Sequence, residues 1–196
     1  FVIGAALVTN AMPGRVATSL SIYFAGSGLG VVLAGALIPL AQSGSETLDW
    51  RQAWLVMGLA SLAASALAWQ AARLAIRHCT AKPATPSVPV WGALWPSLLA
   101  NLMYGAGYVG YMTFMIALLK ELGFSATLTM VFFVLIGGAS ILASPLWGRL
   151  LTRLKTGQGF ALVCLLVATG TVPALIWPQA WAVIASALIF GASFMA

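Results

Sequence analysis

The sequence predicts an all-α polytopic membrane protein, and three observations predict it. Of 196 residues, 62% are hydrophobic and only 6% are charged, whereas ordinary soluble domains carry about 25% charged residues. So little charge cannot cover a surface in water, and a mean hydropathy of +1.03 agrees. The apolar residues fall into long runs, most of them near the ~20 residues that a helix needs to cross a bilayer. The runs are apolar all round, without the alternation that a closed barrel requires, so they read as helices.

Taken in order, the first run, Phe1 to Met12, is short, and Pro13-Gly14-Arg15 closes it. The second spans Ala17 to Ala41 and the third Arg51 to Ala72. A polar linker with Pro83, Pro86 and Pro89 follows over residues 73–90. The fourth run spans Trp91 to Leu119, with Pro96 expected in its first turn, where a missing N–H costs nothing. The fifth spans Ser125 to Gly148 and the sixth Phe160 to Trp177. A last run opens near Gln179 and continues to Ala196. The chain starts at Phe1 inside an apolar run, without Met and without a charged leader. It therefore reads as a piece cut from the middle of a longer product.

Charge gives the topology. The net charge is +6, but the nine basic residues are scattered between apolar runs, which argues against nucleic-acid binding. One set of alternate loops holds Arg15, then Arg73, Arg77 and Lys82, then Arg149, Arg153 and Lys155. The other set holds Arg51 and Lys120, together with the three acids Glu46, Asp49 and Glu121. Basic residues mark the cytoplasmic side, so the rich loops are expected there, in the inner (plasma) membrane. One missed helix would scramble this parity. Cys79 and Cys164 have no disulfide or metal spacing, and the single histidine, His78, has no co-ligand nearby. No metal and no cofactor are expected.

The residues resemble the major facilitator superfamily. Tyr23-Phe24-Ala25-Gly26-Ser27-Gly28-Leu29-Gly30, followed by Gly35 and Pro39, is similar to its fifth helix. Trp50-Arg51 is similar to the pair opening the sixth. Gly148-Arg149-Leu150-Leu151-Thr152-Arg153 resembles the signature between the eighth and ninth. Tyr104-Gly105-Ala106-Gly107-Tyr108 resembles helix seven of the YbfB/YjiJ branch. The likeness covers the whole chain, from the end of helix four through most of helix ten. It implies twelve helices in two six-helix bundles, alternating access and a monomer. Residues 1–72 would then end the N-terminal bundle, residues 73–90 form the central cytoplasmic loop, and residues 91–196 begin the C-terminal bundle. The sequence departs from the pattern at Thr152, where the superfamily signature carries Asp, and near Pro39, where the antiporter glycines are displaced. Proton antiport is therefore not carried over.

Several residues invite a functional role, each beside a plainer one. Gly26 and Gly30 form a GxxxG pair, with Gly35 beyond it, and such spacing lets helix backbones approach. In a transporter that contact is a pivot; otherwise it is static packing. At ~100° per residue, Asn101, Tyr104, Tyr108, Tyr111 and Met115 fall within an arc of roughly 80°. Three tyrosines and an amide on one stripe are costly against lipid, so they are expected to line a cavity for a small organic solute. The plainer role is helix–helix hydrogen bonding or the interfacial belt. Gly105, Gly107 and Gly110 between them would loosen the helix. Tyr23 and Ser140 are second-tier lining candidates. Gly148 and Arg153 are candidates for a cytoplasmic gating loop, and Arg149 and Lys155 for topology and headgroup contact.

No charge lies inside a run, so the solute is expected to be uncharged or amphiphilic, and a coupling proton would use residues outside these helices. The expected function is secondary active transport by alternating access, with proton-coupled efflux or uptake both open. A membrane-embedded enzyme is the main alternative, yet no HExxH, no GxSxG and no intramembrane acid or histidine is present. A non-transporting scaffold is the third reading.

Overall fold

The structure, a computed structural model, describes residues 2–42, 50–78, 91–151, 153–154 and 157–194. It contains α1 (Val2–Ala11), a 3-10 turn (Pro13–Arg15), α2 (Val16–Gln42), α3 (Trp50–His78), α4 (Trp91–Glu121), α5 (Ala126–Leu151), α6 (Gln158–Ile176) and α7 (Ala180–Ser193). Among the described residues there is no strand. Helices α2 to α6 are each long and apolar enough to cross a membrane, and α7 is shorter. Every apolar run of the sequence has its helix.

Two helix ends and the place of one proline differ from expectation. Helix α3 continues past Ala72 to His78, because Arg73 can follow its own helix: its guanidinium lies 5.0 Å from the centre of the Trp69 ring one turn back. Residues 79–90 of the expected loop lie outside the described residues. Helix α5 continues through Gly148 and Arg149 to Leu151, so Gly148 is helical and only Arg153 sits in the following turn. Thr152 and Lys155 lie outside the described residues. Pro96 is the sixth residue of α4, inside the helix and beyond its first turn. There it removes the N–H that would bond the Gly92 carbonyl.

Helix α4 ends on a glycine for a reason that the backbone makes explicit. The N–H of Phe124 bonds the Leu119 carbonyl, and the N–H of Gly123 bonds the Lys120 carbonyl, each at 3.0 Å. This pair of bonds closes the helix only if Gly123 turns left-handed, and its φ is +71°. Gly123→Ala should destabilise this end by about 1 kcal/mol, read as a lowered unfolding midpoint. An unchanged midpoint would mean that the helix ends without this turn.

The chain divides into two compact units, one holding α1–α3 with α5–α7 and the other α4. In the first unit α5 is central. It packs against α2 on one side and α7 on another, and α6 packs on α7. Phe132, Ile136, Val183, Ala187 and Phe190 are buried there. The Phe190 and Phe194 rings stack at 5.3 Å. Two polar bonds lock the helices around α7: Ser186 Oγ donates to the Gly170 carbonyl at 2.6 Å, and the Trp147 indole N–H donates to the Ala192 carbonyl. Helix α3 is different. None of its Arg51–Leu74 window is buried, so its apolar surface is left for lipid or for other protein to cover.

Candidate functional site

Glycines bring the backbones of α2 and α5 into close contact. A Cβ built on Gly28 would stand 2.7 Å from the Gly137 carbonyl oxygen, 3.0 Å from Ile141 and 3.1 Å from Ser140. A Cβ built on Gly137 would strike the Gly28 carbonyl and stand 2.6 Å from the Val32 side chain. One turn pair further on, Gly35 faces Phe133, where a Cβ would come within 2.9 Å. The pairings run in opposite senses, so the helices are antiparallel. Backbones this close gain dispersion and carbonyl contacts that do not depend on excluding water.

The glycines of the GxxxG pair take no part in this α2–α5 contact. Gly26 and Gly30 have nothing within 4 Å of a built Cβ among the described residues. Gly28, between them, is buried, and Gly26 and Gly30 are exposed. Gly35 faces α5, whereas Gly26 and Gly30 point away from it. On α5 the contact is made by Gly137, and its neighbour Gly138 makes no such contact.

The second-tier residues also settle into particular places. Tyr23 lies across Gly4 of α1, its hydroxyl and ring edge occupying the space of the missing side chain. Ser140 is 2% exposed, packed where α5 meets Gly28 of α2. Its hydroxyl finds no hydrogen-bond partner among the described residues, while its carbonyl accepts from Ser144 Oγ at 2.8 Å. An unsatisfied buried hydroxyl costs about 1–3 kcal/mol, and this one sits beside Gly28.

Helix α4, a unit by itself, runs unbroken through Gly105, Gly107 and Gly110. It therefore carries Asn101, Tyr104, Tyr108 and Tyr111 on one face, as the spacing predicts. The Tyr104 and Tyr108 rings lean together with centroids 5.8 Å apart. Asn101 is exposed.

Where α2 begins and α5 ends, a groove of 510 Å³ opens between them. Thr18, Ser21, Ile22 and Ala25 line it from α2, and Ile141, Pro145, Gly148 and Arg149 from α5. Arg153 stands in the turn just beyond, its N–H bonded to the Leu150 carbonyl at 3.0 Å. Among the described residues no three of His, Cys, Asp and Glu come together as metal ligands.

Against known families, the model described as "Uncharacterised MFS-type transporter YbfB" matches residues 1–196. No curated protein and no solved structure matches the chain.

Proposed function

Because this chain belongs to the YbfB-type family of major facilitator transporters, and so is a multi-pass membrane protein, we propose that it moves a small organic solute by alternating access. The solute is uncharged or amphiphilic, and the tyrosine face of α4 lines its path. The observation that carries this reading is the stripe itself. Asn101, Tyr104, Tyr108 and Tyr111 share one face of a continuous helix, and four polar groups so placed are too costly to turn toward hydrocarbon. Aromatic rings with hydroxyl ends suit a solute that is part apolar and part hydrogen-bonding. The glycine contact of α2 with α5 is the joint of the motion. In this reading α2 belongs to one six-helix half and α5 to the other, and the cytoplasmic side of the inner membrane is the side of Arg15, Arg149 and Arg153. The protein works as a monomer and needs no cofactor.

The test uses the full chain with Cys79 and Cys164 replaced and a single cysteine introduced by Tyr108→Cys. Membrane-impermeant thiol reagents are added from each side in turn. Labelling from both sides is expected, or a side preference that shifts when candidate solutes are added. Leu102→Cys, on the opposite face of α4, should stay unlabelled. If Tyr108→Cys in a folded protein is reached from neither side, the stripe is packed against protein, and the solute path lies elsewhere.

A further inference from the structure

The groove at the Arg149 end of α2 and α5 has the polarity of an amphiphile. Along its length the walls are Ile22, Ala25, Ile141 and Pro145, all apolar. At its end stand Thr18, Ser21 and Arg149. We propose that it is a site for one anionic phospholipid of the cytoplasmic leaflet, with the phosphate at Arg149 and an acyl chain lying along the groove. This inference needs the membrane setting and not the solute-transport reading.

Three observations carry it. The first is what borders the groove. Ile22 is 70% exposed, Leu142 76% and Leu146 66%, and Leu142, Leu146 and Arg149 follow one another at helical spacing on a single face of α5. A face of large exposed aliphatic side chains that ends in an arginine matches hydrocarbon below and headgroups above. The second is shape. Ala25, Pro145 and Gly148 are small enough to leave a concavity where two apolar helices would otherwise interdigitate, and its 510 Å³ lies within the roughly 300–1,000 Å³ of ligand clefts. The third is charge. Arg15 precedes α2 and Arg153 follows α5 at this same end. Residues 1–45 and 122–196 contain no aspartate or glutamate, so the charge that both segments bring to this end is purely basic. A guanidinium takes a phosphate through paired N–H donors, and the hydroxyls of Thr18 and Ser21 add donors to the remaining oxygens.

The purified full chain in neutral detergent is titrated with phosphatidylglycerol, and bound lipid is counted by native mass spectrometry while the unfolding midpoint is followed. Phosphatidylcholine with the same acyl chains and soluble glycerol phosphate serve as comparisons. Phosphatidylglycerol is expected to be retained and to raise the midpoint. Arg149→Gln should require about fivefold more lipid for the same effect, and Arg51→Gln, which removes a charge at the other membrane end, should titrate like the unsubstituted protein. Ala25→Phe fills the groove without touching the charge and should weaken retention as well. The site is refuted if Arg149→Gln titrates unchanged, if Ala25→Phe retains the lipid normally, or if phosphatidylcholine is held equally well. Equal stabilisation by glycerol phosphate alone would also overturn it, because the groove would then hold a soluble anion rather than a lipid.

Discussion

Gly137→Leu should abolish transport and lower the unfolding free energy by about 3 kcal/mol, the upper part of the range for overpacked positions. The reason is what the new side chain meets. Its Cβ would strike the Gly28 carbonyl and come within 2.9 Å of the Val32 amide nitrogen, and both are backbone groups of α2. Side chains can rotate away from a clash, but helix backbones can only separate. Separation would then open the whole α2–α5 contact, including Gly35 against Phe133. The matching control is in the partner helix, α2. Gly26→Leu and Gly30→Leu add side chains where nothing stands within 4 Å, so each should change stability by no more than about 0.5 kcal/mol. Unfolding midpoints and solute flux for the three variants decide the matter. Equal damage at Gly26 or Gly30 would show that the close approach of α2 is made by its other face.

Gly191→Leu is the second severe substitution, and it acts on the same point of α5 from the opposite partner. A Cβ at Gly191 would stand 2.5 Å from the Ile136 carbonyl oxygen and 2.7 Å from its Cα. Ile136 and Gly137 are consecutive, so two adjacent peptide units of α5 seat α7 and α2. The expected cost is again about 3 kcal/mol. The more telling measurement is the double variant, because groups that share a backbone shift do not add. Gly137→Leu and Gly191→Leu together should cost less than the two separately, since α5 has already been displaced by the first. Strict additivity would mean that the two contacts are independent and that α5 transmits nothing between them.

Much of this architecture is legible in the sequence, because a bilayer demands long apolar segments and long apolar segments are easy to see. All seven helices stand where hydropathy runs placed them. What escaped was orientation. Gly26 and Gly30 have the spacing of a packing motif, yet Gly28 makes the contact, because the face that a glycine uses is set by the partner helix and not by its own. Gly137 gave no signal beside Gly138 for the same reason. The contact of Tyr23 with Gly4, nineteen positions earlier, has no signal in the sequence, because the two residues lie on different helices. Helix ends were missed where charged side chains looked like loop. Arg73 and Arg149 both prolong helices, since a long side chain can carry its charge away from the helix that bears it. The tyrosine stripe of α4 was foreseeable because it is internal to one helix, where the period alone decides the face.

The contact of α2 with α5 also has a mechanical consequence. Its innermost point, Gly28, lies twelve residues from the start of α2 at Val16, a lever arm of roughly 18 Å. Turning the helix by about 10° around that fulcrum would sweep its Val16 tip through about 3 Å, while the Gly28 and Gly137 backbones barely part. Smooth glycine surfaces give the least resistance to such rotation, and the side chains nearest the fulcrum set how far it can go.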